Sequence, residues 1–95
     1  MLEHFHVPEK DQVRVRHADL HRTTAAVFGK MGMPIADAEL AADGLVTADL
    51  RGCETHGVSN MLRAYVQMFA ERRINPTPNW KITRETSAVA TIDAD

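Results

Sequence analysis

Apolar residues recur at the helical period along most of the chain, and the period changes near its far end. Leu20, Thr24, Val27, Phe28 and Met31 fall on one helical face. Gly32 is placed to stop that helix, and Pro34 to start the next. A second helix is expected over residues 35–49, where Ala38, Ala41, Ala42 and Leu45 make a small-residue face. Gly44 inside it costs about 1 kcal/mol relative to Ala, and close approach of a neighbouring helix is the expected reason. A third helix follows, with Val58, Met61, Leu62, Tyr65, Val66 and Phe69 at the 3.6-residue period. Arg72 and Arg73 fall in its expected last turn, where cations suit the helix dipole.

The stretch NPTPN, residues 75–79, breaks the third helix. Beyond it the period becomes two. WKIT and AVATI alternate like strands, with RETS as the turn between them. VRVR, residues 13–16, alternates in the same way and is expected to form a short strand, while residues 1–12 read as a polar arm. The pattern is thus α+β, a three-helix segment followed by the start of a sheet. A lone hairpin is marginal in water, so the order of elements suggests the first part of a longer chain. The alternative is a small helical binding module without catalysis. A cooperative thermal melt would favour that module and a broad one a segment of something larger.

Composition adds little to this and excludes more. The chain has 95 residues, 44% hydrophobic and 25% charged, within the range of ordinary globular domains. Its formal net charge of -2 argues against a nucleic-acid module. Charge is unevenly placed, with five acids and one base over residues 35–55 and five bases and one acid over residues 60–84. Either the two segments pack together, or the basic one faces an anion, or both are solvated helix faces. Cys53 is the only cysteine, so no internal disulfide is available. No run is long enough for a signal peptide or a membrane span, which makes the cytoplasm the expected location.

Candidate chemistry concentrates in RGCETHGVSN, residues 51–60, the loop before the third helix. Cys53 and His56 form a C-x-x-H pair that zinc accepts. A structural site needs four ligands, and the remainder would come from His4, His6, His17 or His21. Cys53 acting as a nucleophile with His56 lacks the orienting third group. His56 as an acid or base at a helix N-terminus is the third possibility. Histidine titrates near neutral pH, and free N–H groups at a helix start attract an anionic substrate. Thr55 is suited to cap that helix, and Gly52 and Gly57 to permit close backbone approach. The residues alone leave His56 open between a proton-transfer group and an ordinary turn residue.

ADLRGCETHGVSNMLRAYV, residues 48–66, followed by INPTPNW and ATIDAD, resembles the non-Rossmann malate/L-lactate dehydrogenase family. These enzymes reduce 2-oxo acids or cyclic imino acids with NAD or NADP. The resemblance runs from Val13 onward. It implies that His56 donates or accepts the proton at the keto oxygen, oriented by an aspartate beyond residue 95. It places Thr55, where most members have serine, beside the nicotinamide. Many members carry an arginine four residues after the histidine to grip the substrate carboxylate. Here that position is Asn60, which makes no charged bidentate clamp, and Arg63 one turn further is the candidate substitute. Asn60 and Arg63 are therefore the substrate-contact candidates, and no metal is expected. The resemblance further implies residues 13–79 as a helical substrate and catalytic segment, and 80–95 as the first strands of a cofactor-binding domain. It also implies a homodimer acting on a small 2-oxo or 2-hydroxy acid, with no nucleic-acid or membrane partner.

Overall fold

A computed structural model describes residues 7–95. Helices α1 (His17–Lys30), α2 (Ile35–Leu50) and α3 (Val58–Ala70) come first. An antiparallel hairpin of β1 (Lys81–Glu85) and β2 (Ala90–Asp93) follows. Three helices and then a two-stranded sheet is the α+β order expected from the hydrophobic pattern. Part of the arm, including His4 and His6, lies outside the described residues. Residues 7–12 are exposed and hold one turn of 3-10 helix, Glu9–Asp11. No described helix is long and apolar enough to cross a membrane.

The expected strand over residues 13–16 does not form. These residues are exposed, Val13 to 87%, and neither of the described strands pairs with them. Alternation alone does not make a strand when there is no sheet edge to join. The stretch leads instead into α1, which starts at His17, three residues before the apolar pattern shows it. Asp19 in the first turn explains the earlier start. It suits the positive end of the helix dipole and pairs with both Arg16 and Arg22.

All three helices end in the same hydrogen-bonded cap. In α1, Gly32 N–H donates to Gly29 O and Met33 N–H to Phe28 O. In α2 the pairs are Gly52 to Asp49 and Cys53 to Ala48, and in α3 Arg72 to Phe69 and Arg73 to Met68. This Schellman arrangement puts the residue after the C-cap in the left-handed region, where glycine has no Cβ penalty. Gly32 and Gly52 meet it with φ of 99° and 77°. Arg72 meets it with φ of 58° and a full side chain. Arg72 and Arg73 therefore lie beyond α3 rather than in its last turn. Replacing Arg72 with Gly is expected to stabilise the protein by roughly 1 kcal/mol, a rise in Tm of roughly 4–8 °C for a domain of this size. An unchanged or lower melting midpoint would show that the arginine carries no strain.

The helices meet around Phe28, Ala38, Leu45 and Phe69, with Met31, Met33, Leu62 and Tyr65 packed against them. Phe28 sits edge-on to Phe69, their ring centroids 6.3 Å apart, a favourable aromatic geometry. Ala38 and Ala42 are buried as the small-residue face of α2 requires, and Val46 joins them. The expected reason for Gly44 is not what the structure shows. Gly44 is exposed, and a Cβ there would meet nothing within 4 Å. It borders an open apolar groove of about 350 Å³ between Leu45, Tyr65 and Ile74. Charge complementarity does not join the acidic and basic segments either. No ion pair among the described residues links them, and Arg73 pairs with Glu71 inside the basic one.

In the hairpin, Ile82 faces Ile92 and Glu85 faces Ala90, with an irregularity between Ile82 and Arg84. The turn lies two residues later than RETS suggests, because Arg84 and Glu85 keep pairing. Thr86 closes it, its N–H donating to Val89 O at 2.8 Å and its hydroxyl accepting from Val89 N–H at 3.2 Å. Every strand residue is exposed. The hairpin thus stands outside the helical core and positions none of the residues considered next.

Candidate functional site

The loop between α2 and α3 is built from its two ends. At the α2 end, the cap through Gly52 turns the chain back sharply. Nothing lies within 4 Å of a Cβ placed on Gly52, so this glycine serves the left-handed turn and not a close approach. One turn of 3-10 helix, Glu54–His56, then fills the gap. It is closed by His56 N–H to Cys53 O at 2.9 Å and Gly57 N–H to Glu54 O at 3.3 Å.

At the α3 end the N-cap is Gly57, which has no side chain to offer. Thr55 does not cap the helix as expected. The cap comes from across the loop, where Asp49 Oδ2 accepts the Val58 N–H at 2.8 Å. Gly57 is buried, and a Cβ on it would overlap the Asp49 carboxylate. This is the close approach that the second glycine of the loop permits. It also fills one of the donor positions at the α3 N-terminus. The anion at this helix start is the protein's own Asp49, so the Val58 N–H does not await a substrate.

Three of the four expected site residues come together here. Thr55 Oγ1 lies 2.9 Å from His56 Nδ1. Asn60 Nδ2 donates to Thr55 O at 2.6 Å. Asn60, third residue of α3, thus reaches back over the first turn and ties the loop to the helix. Arg63 lies one helical turn further, exposed, and makes no hydrogen bond or ion pair among the described residues. Thr55, His56 and Asn60 are exposed as well.

The Thr55–His56 pair has defined chemistry. A threonine hydroxyl both donates and accepts, so it holds the ring whether Nδ1 carries a proton or not. With the proton on Nδ1 donated to Thr55 Oγ1, Nε2 keeps a lone pair and acts as a base. When Nε2 is also protonated, the same contact persists and Nε2 acts as an acid. Nε2 has no hydrogen-bond partner among the described residues. Among the described residues no three His, Cys, Asp or Glu side chains gather as metal ligands would. His21 is held by Glu39 O at 3.2 Å, and Cys53 is exposed.

A cavity of about 800 Å³ lies beside this loop. It opens between the extended segment near Val13 and Arg14 and the helix ends at Leu50 and Val58, and none of the four expected residues lines it. Asp49 does, and the sequence reading overlooked this residue. The available signal was the glycine directly before Val58. A helix that starts on a glycine must take its cap from another residue, and Asp49 is the acid at the end of the preceding helix.

The sequence profile of the malate/L-lactate dehydrogenase family matches residues 15–95. The malate dehydrogenase of Pyrococcus abyssi is 40% identical over 95 residues, all of this chain and 26% of that protein. The L-sulfolactate dehydrogenase of Methanocaldococcus jannaschii is 41% identical over 69 residues, 73% of this chain and 20% of that protein. The solved structure of malate dehydrogenase from Pyrococcus horikoshii OT3 superposes with a TM-score of 0.83 at 39% identity, covering 95% of this chain and 25% of that one. The chain spans about a quarter of the length of the malate dehydrogenases it matches.

Proposed function

The chain belongs to the malate/L-lactate dehydrogenase family, and from this membership we propose that it supplies the proton-transfer part of an NAD(P)-dependent enzyme interconverting 2-oxo and 2-hydroxy acids. The observation that carries the proposal is the His56 ring, held at Nδ1 by Thr55 on an exposed turn with Nε2 open. A nicotinamide cofactor, when bound, supplies or takes up the hydride at the substrate's carbonyl carbon. The exposed Thr55 hydroxyl suits contact with the reactive end of such a cofactor, and no other described residue is assigned to it.

In the reductive direction, His56 gives its Nε2 proton to the carbonyl oxygen and keeps its Nδ1 proton on Thr55 Oγ1. In the oxidative direction, Nε2 takes the hydroxyl proton back. Arg63 faces the substrate carboxylate, and Asn60 holds the turn in place. Residues 13–79 form the substrate and catalytic segment, and residues 80–95 the first strands of the cofactor-binding domain, in a cytoplasmic homodimer.

The test is direct. The full-length protein is incubated with NADH or NADPH and a panel including oxaloacetate, pyruvate and 3-sulfopyruvate, and loss of reduced cofactor is followed. Turnover of at least one acid is expected. No turnover with any member of the panel would sink the reading. The 95-residue segment alone is expected to be inactive, because His56 is exposed and lines neither of the two described cavities.

A further inference from the structure

We propose that Asp49 is a positioning residue for His56, an inference that rests on the reading just given. Asp49 stands at the end of α2, and its side chain is the only described link from that helix to the first N–H of α3. The residues between them form a closed loop. Its two ends are pinned by the Gly52 cap on one side and the Asp49–Val58 hydrogen bond on the other. Only Gly57 separates His56 from the pinned end. The His56 backbone is tied only within the turn, to Cys53 O. The place of His56 relative to α3 is set by two contacts, Asp49 on the Val58 N–H and Asn60 on Thr55 O.

Gly57 supplies an independent observation. A glycine N-cap is needed here because the carboxylate fills the space that a Cβ would take. The φ of Gly57 is -89°, which any residue adopts, so backbone conformation does not require glycine. The requirement is the carboxylate itself. Asp49 and Gly57 thus form one device, a side chain and the gap that admits it, directly behind the proton-transfer residue.

Proton transfer is sensitive to such placement. A donor must lie within hydrogen-bond reach of the atom it serves, and a displacement of about 1 Å costs about 100-fold. Asp49→Ala in the full-length enzyme is expected to lower kcat by about 10- to 100-fold, with KM changed less than about threefold because Asp49 does not contact the substrate. Asp49→Asn keeps an oxygen acceptor for the Val58 N–H in the same shape and should restore kcat to within about threefold of the parent. Gly57→Ala should reproduce the loss. Combined with D49A it should add little, since the space is then free; such non-additivity marks a coupled pair.

A purely stabilising cap would behave differently. It would lower Tm in D49A but leave kcat of the folded enzyme unchanged, and that result overturns the proposal. So does a Gly57→Ala penalty of the same size in both backgrounds. If D49A yields no folded protein, D49N and G57A decide: full kcat in G57A overturns the inference, and a depressed kcat in G57A beside near-parental D49N upholds it. His56→Gln in the same assay separates the two levels. Full activity in H56Q removes the reading on which Asp49 depends, whereas a disabled H56Q beside a fully active D49A removes the Asp49 inference alone.

Discussion

Replacing His56 with Gln in the full-length enzyme is expected to lower kcat by about two to four orders of magnitude, the range of a positioned general acid or base. Gln preserves roughly the size and polarity of the ring and can still bond Thr55 Oγ1, now 2.9 Å from Nδ1. What it lacks is a proton to give near neutral pH. The loss should therefore appear in kcat and kcat/KM alike, since the interaction removed matters chiefly in the transition state. The melting midpoint should hardly move, because His56 is exposed and its side chain packs against no core residue. Steady-state kinetics with the best acid from the panel, beside a thermal melt, would check both halves. A kcat within a few-fold of the parent would return His56 to the status of a turn residue.

The neighbouring contact sharpens that expectation. Thr55→Val removes the hydroxyl but keeps the branched shape. It should lower kcat by a smaller factor than H56Q, because the imidazole remains and only its orientation is released. A larger loss in T55V than in H56Q would place the main chemistry on Thr55 instead.

How much of this was legible in the sequence follows from the range of each interaction. The start and the apolar face of α3 are legible, because Val58, Met61, Leu62, Tyr65 and Phe69 define one face and all pack on or in the core. The end of α1 was legible in Gly32, and the start of α2 in Pro34, since both are local backbone effects. The end of α3 was not. Arg72 adopts a conformation that glycine would have announced, so the helix looked longer than it is. Residues 13–16 alternated like a strand, but strand formation depends on a partner that no local pattern reveals.

The candidate site divides in the same way. His56 and Thr55 were visible because they are adjacent in the chain and carry recognisable chemistry. The Asp49–Val58 hydrogen bond spans nine residues and joins two helix ends that no local pattern relates. Pattern alone gave Asp49 the look of another solvated acid in an acidic helix. Asn60 was visible as a departure from the family pattern, but not its use. Its amide reaches back to Thr55 O, a contact set by the first turn of α3.

Arg63→Gln should then raise KM for the 2-oxo acid by about 10- to 100-fold, with kcat within about threefold of the parent. The magnitude is that of one charged hydrogen-bonded contact, about 1.5–3 kcal/mol, at about 1.4 kcal/mol per tenfold change. Two features of the site support the proposed placing of the substrate carboxylate at this residue. Asp49 already places a carboxylate on the Val58 N–H at the start of α3, so a second anion there would meet its repulsion. Asn60 uses one of its two amide N–H groups on Thr55 O and carries no charge. Arg63 stands one turn beyond Asn60, a rise of about 4.5 Å. Helical side chains lean toward the N-terminus of their helix, which brings its long side chain back toward the His56 end. It has no ion-pair partner among the described residues to compete for it. Arg63→Lys keeps the charge but loses the planar fork, and should fall between the parent and R63Q. Asn60→Ala should leave KM nearly unchanged and act on kcat, through the loosened turn. If N60A raises KM and R63Q does not, the carboxylate is held at position 60 after all.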